Sequence, residues 1–247
     1  DHLVDISRLG ELQGIERRNG HVWIGGGTTE AAVEASALVA TEAPLLARAT
    51  PLIGHRQIRN RGTIGGSLAH ADPAAEYPAV AVALDATFDV VSSTGSRTVP
   101  AADFFDGVWS TSLEDGELLR SISFPVWAGR CGFGVAEFAR RHGDFAIAGA
   151  VAAVELGPDD AVVRSALSIF GVAGTPTRAT STETGVAGRP SAEIDPDEVG
   201  RSAMDAIEDV SDDPQVPSDY RRRIGAAMVA DAWRRAVDDA HHDGSPR

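Results

Sequence analysis

Residues 58–76, running Ile58-Arg59-Asn60-Arg61-Gly62-Thr63-Ile64-Gly65-Gly66-Ser67-Leu68-Ala69-His70-Ala71-Asp72-Pro73-Ala74-Ala75-Glu76, hold the richest chemistry in this sequence. Thr63-Ile64-Gly65-Gly66-Ser67 leads toward Asp72 and Pro73, a pair suited to the cap and first position of a helix. Glycines at 65 and 66 permit torsions that a β-carbon forbids and leave the amide N–H groups open to a ligand. Joined by the hydroxyls of Thr63 and Ser67, such amides make a cradle for a pyrophosphate. A double glycine between apolar residues is equally the makeup of a tight turn, and five residues do not separate the two.

A second glycine-rich loop, Gly25-Gly26-Gly27-Thr28-Thr29, also opens toward a helix, so two loops could grip one extended nucleotide from opposite sides. Neither matches G-x-G-x-x-G after a strand with an acid about 20 residues on, which disfavours a Rossmann site. Ser67, His70 and Asp72 are poor evidence for a catalytic triad, whose members converge from distant segments. His70, Asp72 and Glu76 have the types of metal ligands, but such near neighbours more often cap and hydrogen-bond locally. No metal and no catalytic acid or base is expected. The bend Arg140-Arg141-His142-Gly143-Asp144-Phe145-Ala146 offers arginines for an anionic edge and Phe145 to cover an aromatic ring; a polar turn facing solvent is the alternative. Arg56, Arg59 and Arg61 favour a bound phosphate or an acidic partner, or form a solvated face.

The elements that must position these residues follow from pattern. Leu3–Ile6 alternates like a strand, and residues 14–18 and 21–24 read as a hairpin across Asn19-Gly20. Helices are expected from Glu30, over 44–49 and over the apolar run 74–84, and strands over 87–92, 97–99 and 117–124. Residues 101–105 read as a short helical turn, and 125–129 as a linker. Beyond it come strands at 132–140, 146–156 and 162–172, then helices at 178–186, 195–210 and 220–239, with a frayed tail from His241. The fold class is α+β, and the last section is a three-stranded antiparallel sheet with helices.

Composition narrows the function. A formal net charge of -14 argues against nucleic acid and anionic membrane as partners. All cations are arginine, which excludes Schiff-base lysine chemistry and a lysine-bearing P-loop. Cys131 is the single cysteine, so these residues can form neither an internal disulfide nor, by themselves, an iron–sulfur cluster. No apolar run reaches the ~20 residues of a membrane span, and none reads as a signal peptide, so the expected compartment is the cytoplasm.

Read together, residues 57–67 with 71–76, Ile24 to Thr29, Pro100 to Phe105 and the 140–146 bend resemble the FAD-binding medium subunit of the molybdenum hydroxylases, the carbon monoxide dehydrogenase and xanthine dehydrogenase group. The resemblance covers essentially the whole chain. It implies a two-subdomain FAD-binding domain of the PCMH/vanillyl-alcohol-oxidase type over 1–125, divided into 1–48 and 49–125. A carbon monoxide dehydrogenase flavoprotein C-terminal-like domain would follow over 130–240. By that resemblance Thr63, Ile64, Gly65, Gly66 and Ser67 contact the FAD pyrophosphate, and Glu76 meets the ribose. Ile24, Gly25 and Gly26 lie by the adenine, while Ile122, Asp144 and Phe145 approach the isoalloxazine; His70 and Asp72 join the site. It also implies an iron–sulfur small subunit carrying 2Fe–2S clusters, a molybdopterin large subunit and an external electron acceptor. Ser67 stands where the family often has Asn, and Gly26-Gly27 where Ala-Leu is common. The family's first glycine-rich pyrophosphate motif precedes the segment matched by Leu3–Ile6, so an N-terminally incomplete chain with weak or lost FAD binding is expected. The competing readings are a structural or assembly subunit without FAD and a self-contained flavin oxidase. The lack of a substrate-domain signature argues against the oxidase.

Overall fold

The structure is a computed structural model that describes residues 2–243. Near the start, strand β1 (Ile15–Arg18) turns through Asn19 and Gly20 into β2 (His21–Gly25). Both turn residues have positive φ, 48° and 77°, as a two-residue type I′ hairpin demands. Six short helices follow: α1 (Glu30–Ala35), α2 (Ala37–Glu42), α3 (Pro44–Ala49), α4 (Arg56–Arg59), α5 (Ile64–His70) and α6 (Glu76–Ala83). The helix expected from Glu30 is cut in two at Ser36, whose hydroxyl accepts the Val39 amide and caps α2.

Strands β3 (Thr87–Ser92) and β4 (Gly95–Pro100), the two-stranded β5 (Phe105–Gly107) and β6 (Ser110–Thr111), and β7 (Leu118–Pro125) complete the first half. Five of these strands form one antiparallel sheet in the order β1-β2-β7-β3-β4. Its register sets Ile24 opposite Ile122, Ile122 opposite Phe88, and Phe88 opposite Val99, a buried row across four strands. The sheet is continuous across the subdomain division expected at residue 48, because β2 pairs directly with β7.

The second half contains β8 (Arg130–Phe138), β9 (Ala148–Leu156), β10 (Val162–Phe170) and the two-residue β11 (Thr177–Arg178), then α7 (Thr180–Val186), α8 (Pro196–Asp205) and α9 (Ser218–Asp243). Its sheet, β11-β10-β9-β8, thus has a short fourth strand, which takes Arg178 away from the helix expected to start there. Strand alternation divides this sheet between two cores. Phe133, Val135, Val151, Ala153 and Phe170 join the apolar cluster of the first half. Ala150, Ala152, Val154, Leu167 and Ile169 pack with Met204, Val229 and Trp233 of α8 and α9. α6 is buried at every residue, packed against β9 and β10, which explains why its sequence is apolar all round.

The α+β class holds, with three local corrections. Leu3–Ile6 is not a strand: it pairs with no other strand, and Leu3, Val4 and Ile6 are exposed. The helix expected at Pro73 starts instead at Glu76, because Asp72 Oδ1 accepts the Ala74 amide and holds a turn there. The tail expected to fray from His241 stays helical through Asp243, with His241 Nε2 and Ser191 Oγ 3.2 Å apart; residues 244–247 lie outside the described part.

Candidate functional site

The two glycine loops meet. Thr29 and Thr63 form an isolated antiparallel bridge, Glu30 donates its amide to Gly62 O at 2.9 Å, and Ile64 donates to Thr28 O at 3.0 Å. Gly65 N–H then reaches Gly26 O at 2.9 Å. A β-carbon on Gly26 would lie 2.4 Å from Leu119 O, and one on Gly65 would lie 2.5 Å from Gly26 O. Gly26 and Gly65 serve close backbone approach, and the unusual torsion expected at Gly65 and Gly66 is absent, since neither has positive φ. Thr63 to Ser67 is not a loop either: Thr63 caps α5, its Oγ1 accepting the Gly66 amide at 3.1 Å.

Beside this junction opens a cavity of about 680 Å³, walled by Gly26, Gly27, Thr63, Gly65, Gly66 and Leu119, with Leu3 to Ser7 along one side. That volume is in the range of small-molecule sites. The amides of Gly26, Gly27, Gly65 and Gly66 all have protein acceptors: Arg120 O, Leu12 O, Gly26 O and Thr63 Oγ1. The donor left for a ligand on this wall is therefore the hydroxyl hydrogen of Thr63 more than the glycine amides.

At the far end of α5, His70 stacks on Trp109 with ring centroids 6.4 Å apart, and Trp109 Nε1 donates to Asp72 Oδ2 at 3.1 Å. His70 and Asp72 are thus engaged locally. Among the described residues no three His, Cys, Asp or Glu side chains are placed to share a metal ion. Arg59 is only 7% exposed and is tied to Glu34 at 2.9 and 3.1 Å and to the Ile53 carbonyl at 3.0 Å, which makes it a structural cation; Arg56 and Arg61 remain exposed.

Three acids lie under or beside the loops. Burial pushes Glu76 up to about 8, helped by the charges of Glu137, Glu30 and Asp72 and opposed by its own backbone amide. Burial lifts Glu30 to about 7 against the pull of Arg59, and lifts Glu137 on β8 to about 7. One carboxylate oxygen each of Glu30 and Glu137 is buried without a hydrogen-bond partner. Sequence reasoning found Glu76 but missed the other two. Glu30 reads as an ordinary first-turn acid, and Glu137 as a polar position on a strand.

The remaining expected residues do not converge on this cavity. The Ile24, Ile64 and Ile122 side chains are fully buried in the core, so they face a ligand only through main chain. Asp144 and Phe145 line a separate groove with Arg140, Ile147, Val216 and Arg221. Their bend is pressed onto the first half at Gly143, where φ is +86° and a β-carbon would lie 2.7 Å from His55 Cε1. The His55 and His142 rings stack there, 6.1 Å apart and 7° from parallel.

Residues 1–127 match the family described as the FAD binding domain in molybdopterin dehydrogenase, and residues 134–236 match the CO dehydrogenase flavoprotein C-terminal domain. The chain belongs to the FAD-binding medium subunits of the molybdenum hydroxylases. This medium subunit is 42% identical over 149 residues to the carbon monoxide dehydrogenase medium chain of Hydrogenophaga pseudoflava. That alignment spans 60% of this chain and about half, 52%, of the relative. It is 33% identical to the caffeine dehydrogenase subunit beta of a Pseudomonas species over 97% of this chain and 81% of the other. A crystal structure of the Cu,Mo-CO dehydrogenase in its cyanide-inactivated form contains a chain that superposes with a TM-score of 0.91 at 31% identity, covering 96% of this chain and 82% of that one.

The residues of this medium subunit fit the FAD diphosphate. The cavity wall at Gly26, Gly65 and Gly66 is bare backbone, and substituting a β-carbon at Gly26 or Gly65 would collide with protein atoms before it met a ligand. Thr63 brings a hydroxyl to the same wall. Glu30 and Glu76, raised by burial to about 7 and about 8, stand outside the cavity lining. No helix among the described residues is long and apolar enough to cross a membrane.

Proposed function

We propose that this subunit holds FAD with its diphosphate against Gly26, Thr63, Ile64, Gly65, Gly66 and Ser67 and relays electrons through it. The meeting of the two glycine loops at one cavity carries the reading. Ile24 and Gly25 flank the adenine through their backbone, Glu76 receives a ribose hydroxyl, and the turn bearing His70 and Asp72 borders the same ligand. Backbone near Ile122, together with Asp144 and Phe145, faces the isoalloxazine. When bound, FAD accepts electrons singly or in pairs and releases them to an acceptor. The chain's own task is to bind, orient and shield it, and no side chain serves as a general acid or base.

Electrons arrive from 2Fe–2S clusters on a small partner subunit, fed by a molybdopterin large subunit, and leave to an external acceptor. The single Cys131 supports placing the clusters elsewhere, since four thiolate ligands are needed. Assembly takes place in the cytoplasm. Purification of the protein followed by incubation with FAD, desalting and measurement of retained flavin tests the reading. Retained flavin, up to one equivalent per chain and lost in Gly65→Val, supports the reading; absence of retained flavin from a folded protein overturns it.

A further inference from the structure

Arg221, in the first turns of α9, was not singled out by any motif, yet it joins the two halves of the site. It is only 8% exposed. Its Nη1 donates to the carbonyls of Ile147 (2.7 Å) and Gly171 (2.6 Å), its Nε to Ser211 O (3.1 Å), and its Nη2 to Asp213 Oδ2 (2.7 Å). Ile147 is two residues beyond Phe145, and its own amide closes the bend onto Phe138 O at 2.8 Å. Gly171, in turn, donates its amide to Pro73 O at 2.7 Å, in the turn that joins Asp72 to Glu76. Gly171 has φ +72°, and a β-carbon there would lie 2.8 Å from Ala146 O, so backbone fills the space between bend and turn.

One guanidinium therefore ties Ile147 to Gly171, and the Gly171 amide carries the link on to Pro73, so the bend and a turn over seventy positions earlier are joined through a single glycine. The planar fork, with five N–H donors, addresses three carbonyls and a carboxylate at once; an ammonium on a flexible stem cannot hold that geometry. Asp213 offsets the cost of burying the charge.

We propose that Arg221 is a positioning residue, fixing the Asp144–Phe145 bend against the Asp72–Glu76 turn and thereby setting how the flavin ring is held. This rests on the FAD reading above. The test compares Arg221→Gln and Arg221→Lys with Arg130→Gln in the full chain. Arg130 makes a similar carbonyl and carboxylate pair, with Gly157 O and Asp160, at the opposite end of β8 from the bend. Two readouts are needed. In flavin-free protein, hydrogen exchange is expected to accelerate roughly tenfold at both residues 144–147 and residues 71–74 in each Arg221 variant, and at neither in Arg130→Gln. In FAD-loaded protein, flavin fluorescence and midpoint potential are expected to shift in both Arg221 variants, with Lys giving no rescue, and to stay at the wild-type value in Arg130→Gln at a comparable loss of Tm. Exchange that changes in one segment only, or a flavin signal that follows Tm alike in all variants, overturns the proposal. A wild type that takes up no FAD defeats the functional reading instead, and the exchange experiment then decides the structural coupling.

Discussion

Gly65 and Gly26 touch backbone to backbone: the Gly65 amide lies 2.9 Å from Gly26 O, and a Gly65 β-carbon would lie 2.5 Å from that oxygen. Gly65→Ala must push one loop off the other. The expected cost is ~1–3 kcal/mol, as for other overpacked sites. A lower denaturant midpoint with unchanged slope, together with weaker FAD retention, checks it.

Protonation of the buried acids sets a pH trend. Glu76 is raised from 4.5 to about 8, and Glu30 and Glu137 from 4.5 to about 7. Between those values the folded state binds more protons than the unfolded state, so stability falls as pH rises through the window. Thermal unfolding followed from pH 4.5 to 8 should show Tm declining, and Glu76→Gln should flatten the decline.

Glu117 acts in the opposite direction. Hydrogen bonds from Arg97 hold its carboxyl down at about 2, so the pair's stabilisation is present above the unfolded value of 4.5 and is lost as pH falls toward 2. Arg97→Ala should raise the Glu117 pKa toward its ordinary value, read by carboxyl NMR titration.

β8 lies flush on α9 only because two of its residues are glycine. A β-carbon on Gly134 would lie 2.0 Å from Ala232 O, and one on Gly132 would lie 2.0 Å from Ala236 O. Gly134→Ala is expected to cost ~1–3 kcal/mol or more, seen in urea unfolding.

Trp109 is 66% exposed, has φ 53°, and donates its indole N–H to Asp72. Asp72→Ala removes this bond and the one from the Ala74 amide, so it should cost ~1–3 kcal/mol, the net worth of two hydrogen bonds, and should shift the Trp109 fluorescence.

Much of the frame was legible from local chemistry. Asn19-Gly20 specified its hairpin because both residues tolerate positive φ, and the unbroken apolar run before Leu84 specified a helix buried on every side. Leu3–Ile6 misled because alternation reports which faces a strand would have, not whether a partner strand is present to accept its amides. The glycines at 65 and 66 do not use the unusual torsion expected of them, and a glycine kept for close approach and one kept for positive φ are identical in sequence.

By itself, then, the sequence determined the α+β class, the main strands and helices, the family and the Thr63–Ser67 candidate, all properties of neighbouring residues and of ordered motifs. Tertiary structure alone decided that Gly26 and Gly65 meet, that Glu30 and Glu137 share the burial of Glu76, and that Arg221 ties the bend to Gly171, which in turn bonds the turn at Pro73. Burial, carboxylate charge and backbone contact depend on atoms brought together from distant positions, and no local spacing encodes those distances.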